Sequence, residues 1–523
     1  MKISYQKRGD VTYAKLPGQS YRVDGKVRKK NVVYLGRVID KKNNVFYNKE
    51  RGIFTYDPDT DTYGKADERY VSELKTDGRK RQRVCLDFGD SYFIDALIRS
   101  MHYDTVLDQM NYRNKDTLYA MVQYYLITNS SNAHAETWLS GNYASLLYPN
   151  ANLTSQRISD FLESVGRDDN MMKYFKAHIG WLMEYVSKDP AVIVDSTGLP
   201  NNIHFPLTEI SSHNGKVSRE VRMETAIQRD SGYPLMFKAN AGNIVDQSIV
   251  TRTVNTLLSF DVHTDFLLLD AGFYNNENID QLYFANIDFL TRFPAKYSLY
   301  NEIVKKHGSS LKVKKNLVEY CGRYVYLERF EVKIGEHKDQ PAYLYLGYDI
   351  ERAGEESHKL LKKAAKDKKS VSAVHKELTE TGYFVLISSL PFESEEILPA
   401  YYVRQTVEQY FDISKGSSKL TPLRVHSEDA LNGHLILSQI AATINVYIQK
   451  ITNQIYDNRE EMLMAMRNQK CMVFNDRITT SAPQAKANEF YNVFSIKCPL
   501  YIERKGGKLT PQYTLPKINP DEV

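Results

Sequence analysis

Cysteine is scarce in this chain of 523 residues: there are four, Cys85, Cys321, Cys471 and Cys498, far apart and with no C-x-x-C pair among them. Their spacing excludes the usual signatures of a structural zinc site and of a disulfide framework. No apolar run reaches the roughly 18 residues that a membrane-spanning helix needs, and the opening MKISYQKRGD has no apolar stretch that could serve as a signal peptide. These absences point to a cytoplasmic protein with no membrane partner. Tryptophan is nearly missing, at 2 residues, and there is no internal repeat or low-complexity tract. The net charge of +5 is too small for a chain of this size to imply a nucleic-acid partner by itself.

What is present is a soluble composition, 42% hydrophobic and 25% charged, with 38 tyrosines. Tyrosine suits half-wet surfaces, because one end of the ring is apolar and the other polar. The charge is unevenly spread. Residues 1–84 carry an excess of roughly ten positive charges, concentrated in YRVDGKVRKKNVVYLGR and DGRKRQR, which reads either as a DNA-backbone binder or as a solvated basic surface. The length allows three or four domains of about 100–200 residues. Short alternating runs such as VTYAKL and KNVVYLG predict a basic, β-rich module over residues 1–85, and apolar residues at helical spacing predict a helical domain over 86–189.

From residue 190 the pattern becomes mixed. AVIVDSTG reads as an apolar strand ending in Asp195, REVRMETAIQRDSGYPLMFKAN as a hairpin, DQSIVTRTVNTLLSF as a helix capped by Asp246, and DFLLLDAGF as a buried strand ending in Asp270. A hairpin followed by βαβ units predicts an α/β layered domain, with mixed sheet and flanking helices. Residues 300–382 depart from this scheme and predict a β-rich insertion with a basic helix, after which 383–450 resume the layered domain and 451–523 form a C-terminal region for dimerisation or DNA contacts.

Strand ends are where open α/β sheets place ligand sites. If the strands of Asp195 and Asp270 are neighbours, about 4.8 Å apart, their two carboxylates repel unless a cation compensates them. Magnesium suits such oxygen donors. Each acid alone reads equally well as a turn residue capping its strand end. The stretch YYVRQTVEQYFDISKG supplies more. In one continuous helix Tyr401, Arg404, Glu408 and Lys415 fall on a single stripe, with Val403, Val407, Tyr410 and Phe411 on the adjoining apolar arc. An ordinary amphipathic helix would look the same, but Glu408 is also placed to be a third ligand.

The joint arrangement, two strand-end acids and then an acid in Tyr-x2-Arg-x3-Glu-x6-Lys, resembles the DDE transposases of bacterial insertion sequences, in the cut-and-paste group that carries this signature. GYPLMFKANAGNIVD, LLLDAGFYNNENIDQLYFANIDFLTRF and LNGHLILSQIAATI are also similar to that family. The resemblance implies a ribonuclease H-like core with a β-rich insertion before the helix of the third acid. It implies that Asp195, Asp270 and Glu408 are catalytic and hold two Mg2+ or Mn2+ ions, and that Tyr401, Arg404 and Lys415 contact DNA. The activity implied is cleavage of double-stranded DNA at insertion-sequence ends and joining of the 3′ ends to target DNA, by a homodimer associated with the nucleoid of a prokaryote. Two alternatives stay open: a ribonuclease H-like nuclease without strand transfer, and a catalytically inert DNA-binding relative.

Overall fold

The computed structural model describes residues 2–509 apart from 10, 24–25, 31, 49, 68–69, 71–83, 202, 204, 212–216, 245–249, 336–339, 368–370, 453–458, 475 and 506–507. The basic run at 77–83 and the expected cap Asp246 therefore lie outside the described residues. The chain divides into two compact units.

The first unit comprises the described parts of 1–85, 472–479 and 501–510. Strands β1 (Ser4–Arg8), β2 (Val11–Leu16), β5 (Val33–Asp40), β6 (Val45–Asn48), β7 (Gly52–Asp57) and β8 (Thr62–Lys65) make an antiparallel sheet in the order β1-β2-β5-β6-β7-β8, while β3 (Gln19–Val23) and β4 (Lys26–Lys30) pair as a separate hairpin. Alternation along the strands turns Ala14, Leu16, Leu35, Phe46, Phe54 and Tyr56 to one face, where they are buried together. A short strand β9 (Val84–Asp87) leads out of this region.

The second unit begins with helices between Gly89 and Tyr185, the last of which is α1 (Asp168–Tyr185). The helix Ser155–Val165 shows why they form: it buries Ile158, Phe161, Leu162 and Val165, an i, i+3, i+4, i+7 stripe. A long mixed sheet follows. Its strands are β10 (Val192–Pro200), β11 (Glu209–Ser211), β12 (Ser218–Gln228), β13 (Pro234–Ala241), β14 (Phe266–Leu269), β15 (Asp288–Arg292), β16 (Leu317–Tyr320), β17 (Arg323–Val332), β18 (Ala342–Asp349) and β19 (Tyr383–Ser388), in the order β11-β12-β10-β14-β15-β19-β18-β17-β16, with β13 also on β12. β11 is not foreseen from the sequence, because a three-residue strand is too short for any periodicity to register. β14 is parallel to both β10 and β15 and is buried along its whole length, as a parallel strand covered on both faces must be. Each of its four side chains contributes roughly 1.5–3 kcal/mol by leaving water. The strands of 300–382 do not form a sheet of their own, because β18 pairs with β19 and β19 pairs with β15.

Among the helices of this unit are α2 (Val250–Ser259), α3 (Ser394–Tyr402), α4 (Gln405–Ser417) and α5 (Glu428–Thr452), the last buried along most of its length. Two buried histidines, His178 on α1 and His434 on α5, are held alike. A tyrosine hydroxyl (Tyr103, Tyr125) lies 2.8 Å from Nδ1 in each case, and a backbone carbonyl (Pro234 at 2.7 Å, Leu420 at 3.3 Å) faces Nε2. Nε2–H donates to the carbonyl, which leaves Nδ1 to accept from the tyrosine. Burial pushes both imidazoles down from 6.5 to about 4. Unfolding therefore takes up protons between those two values, so stability is complete above about pH 6.5 and is lost as pH falls toward 4. Urea melts across that range should show an uptake of up to two protons on unfolding. An uptake that is the same in the His178→Phe/His434→Phe variant would overturn the assignment.

Candidate active site

The parallel ladder of β10 and β14 pairs Val192 with Leu267, Ile193 with Leu268 and Val194 with Leu269, and then stops. The next residue on each strand is an acid, Asp195 on one and Asp270 on the other. The sequence reading placed both where their strands end. Asp270 does follow the last residue of β14, but Asp195 is internal to β10, whose residues 195–200 continue in antiparallel pairing with Thr225–Glu220 of β12. The strand runs on because its other neighbour still supplies backbone partners. One oxygen of Asp195 accepts the Ser196 N–H at 2.8 Å. Asp270 makes no side-chain capping bond to the 3-10 turn that follows it, so its carboxylate is not spent on local structure. Its carbonyl accepts from the Thr291 hydroxyl of β15 at 3.2 Å.

The helix expected over 401–415 is two helices. Arg404 N–H bonds the Tyr401 carbonyl, Thr406 that of Val403 and Val407 that of Arg404, three i→i−3 bonds at 2.9–3.1 Å that tighten the turn between α3 and α4. Such 3-10 geometry rotates the axis and departs from the 100° step on which a single stripe depends. Tyr401 lies in the last turn of α3, Arg404 at the junction, and Glu408 and Lys415 on α4. The apolar side of α4, Val407, Tyr410 and Phe411, is buried as expected, and Val403 is half-buried. Gly232, in the turn joining β12 to β13, has φ +68°, and a Cβ there would come within 2.6 Å of the Thr406 methyl; the glycine gives α4 room to approach that turn.

Arg404 joins the three acids. Its Nη1 donates to Asp195 Oδ2 at 2.8 Å, and its Nη2 donates to Glu408 Oε1 at 3.0 Å and lies 3.8 Å from Asp270 Oδ1. Three carboxylates share this one guanidinium. Burial opposes the charged form of Arg404, but the negative charges of Asp270 and Asp195 outweigh it and raise its pKa. The side chain of Asp195 is 14% exposed, that of Asp270 40% and that of Glu408 60%. The cluster is thus dry on the sheet side and open on the other, where a polymer can approach.

Tyr401 is buried, and burial, with Asp270 second, pushes its hydroxyl up to about 12; it stays a donor at any working pH. Lys415 Nζ donates to Thr197 Oγ1 at 2.6 Å, and partial burial lowers its pKa. The sequence reading missed the partners of these groups. Thr197 receives Lys415, and Ser196 receives the buried Arg222 of β12, at 3.1 Å from Nε and 2.7 Å from Nη2. Asp195, Ser196 and Thr197 are therefore each held by a different cation. A charged residue alternating with apolar ones in REVRMET was the available signal, but it does not say which strand lies opposite.

The donor set, three carboxylates and no thiolate or imidazole, has the chemistry that Mg2+ prefers. Among the described residues, however, no three His, Cys, Asp or Glu side chains are grouped closely enough to hold a metal ion as they stand. The acids are arrayed around the guanidinium, which keeps them apart at its own spacing.

Residues 186–444 match the family model described as the transposase DDE domain. No curated protein matches the chain. Among solved structures, a cryo-EM structure of a piggyBac transposase synaptic complex with hairpin DNA is similar at 9% identity and a TM-score of 0.37, over 72% of this chain and 76% of that one.

Proposed function

Starting from a chain whose residues 186–444 match the transposase DDE domain, we propose that it is a metal-dependent DNA transposase, with Asp195, Asp270 and Glu408 as its catalytic acids on a ribonuclease H-like core. The observation that carries this reading is the convergence of all three acids on one guanidinium where the ladder of β10 and β14 ends. The substrate class is double-stranded DNA, at the ends of an insertion sequence and then at a target, engaged by a homodimer.

Asp195, Asp270 and Glu408 would hold two divalent ions, which supply activation of the attacking oxygen and stabilisation of the leaving one. The chain's own side chains do the rest. Asp195 is fixed from β10 and Asp270 from the end of β14, while Glu408 approaches from the first turn of α4. Arg404 exchanges carboxylates for DNA phosphate, which its planar fork can grip in the same way. Tyr401 donates its hydroxyl to a phosphate oxygen, and Lys415, near Thr197, places a point charge along the backbone.

The test is to incubate the protein with labelled duplexes that carry candidate ends, with Mg2+ or Mn2+, and to resolve nicked and joined products. Nicks together with 3′-end joining support a transposase. Nicks alone indicate a nuclease of the same fold, and inertness in both ions indicates a DNA-binding relative. For Lys415→Ala we expect weaker end binding and a salt dependence reduced by about one counterion; an unchanged slope would mean that Lys415 touches no phosphate.

A further inference from the structure

The first unit carries a surface that the cleavage reading does not use. The six-stranded sheet buries one face, and on the opposite face the alternation of β2, β5 and β6 sets Tyr13, Lys15, Tyr34, Arg37 and Tyr47. The three tyrosines are 43%, 71% and 39% exposed. Their register is regular: Tyr13 lies opposite Arg37, Arg37 opposite Tyr47, and Lys15 opposite Tyr34. With strands about 4.8 Å apart, ring, guanidinium and ring form a row roughly 10 Å across, and a second row of ammonium and ring lies beside it. Gly36 fixes this register. It sits in a bulge of β5 with φ +96°, and a Cβ there would fall 2.1 Å from the Tyr47 carbonyl oxygen. The bulge absorbs one residue, so that Tyr34 and Arg37 both face outward although three positions separate them.

Paired bases are stacked on one another and present only their edges in the grooves, so an intact duplex offers an exposed ring no base face to stack on. An unpaired strand presents the π-face of every base with a phosphate between each two, and it matches rings alternating with cations. We propose that this face binds an unpaired DNA strand, with bases stacked on Tyr13, Tyr34 and Tyr47 and phosphates on Lys15 and Arg37. The inference does not depend on the cleavage reading.

The experiment uses the full chain, a fluorescein-labelled dT20 strand and a 20-base-pair duplex, with binding followed by anisotropy. Stacking is worth about 1–3 kcal/mol per base, which corresponds to roughly 5-fold to 150-fold in affinity for each ring. Tyr13→Ala/Tyr34→Ala/Tyr47→Ala should lose at least about tenfold in affinity for dT20 with duplex affinity changed less than about twofold. Equal losses on both probes, or no loss on dT20, would overturn the proposal. Tyr34→Trp gives an independent reading, because its indole would be exposed and dT20 should quench it; unchanged emission at saturating dT20 would equally sink the idea.

Discussion

Replacing Asp270 with alanine should abolish nicking that depends on a divalent ion, by about 10³-fold or more, while end binding changes little. The loss is large because a metal ion stabilises charge in the transition state by several kcal/mol. It should leave the fold alone because Asp270 is 40% exposed and its bond to Arg404 is the longest of the three. Asp195→Ala is a poorer probe: that carboxylate is nearly buried and also takes the Ser196 N–H and the 2.8 Å bond from Arg404, so its loss would disturb β10 itself. Cleavage by Asp270→Ala at the wild-type rate would dispose of the metal-dependent mechanism.

The second large effect belongs to Arg404. Arg404→Ala removes the cation among three acids, and like charges at close range then face each other in a partly desolvated pocket. Exposed pairs are worth under about 1 kcal/mol and buried ones, when broken, about 3–5 kcal/mol. A side chain 19% exposed falls between, so a loss of about 2–3 kcal/mol is expected in denaturant melts. Magnesium should restore stability to the variant more than it adds to the wild type, because the ion would take the place of the guanidinium. Calorimetry with and without Mg2+ checks this, and an equal response of the two proteins would mean that the acids do not form a common cation site.

Much of this site is legible in the sequence. FLLL and AVIV announce two buried strands by their unbroken apolar character, and each is followed by an acid. That the two strands are neighbours is only a condition in the sequence, and the parallel ladder of β10 and β14 meets it. The spacing of Tyr401, Arg404, Glu408 and Lys415 located the third acid. What could not be read depends on contacts between segments distant in sequence. That β10 continues past Asp195 is decided by its pairing with β12, and nothing in DSTGLP signals it. The tightened turn at Val403 and Arg404 is invisible because both residues are ordinary helix formers, and a stripe drawn on an ideal helix assumes the continuity in question. The strands of 300–382 read as an insertion because their sequence pattern breaks from the one before, yet backbone pairing is indifferent to side-chain pattern, and β18 joins them to the same sheet through β19.

Asp195 and Asp270 stand at the end of the β10–β14 ladder in the middle of a ten-stranded sheet, whereas Glu408 stands in the first turn of a short helix, just after the 3-10 turn that separates α3 from α4. Amide exchange at Ile193 and Leu268 should require global opening, while amides around Arg404 exchange through a local one. The jaws of the clamp are thus unequal: one is rigid and sets the reference position, and the other can adjust its grip to whatever enters.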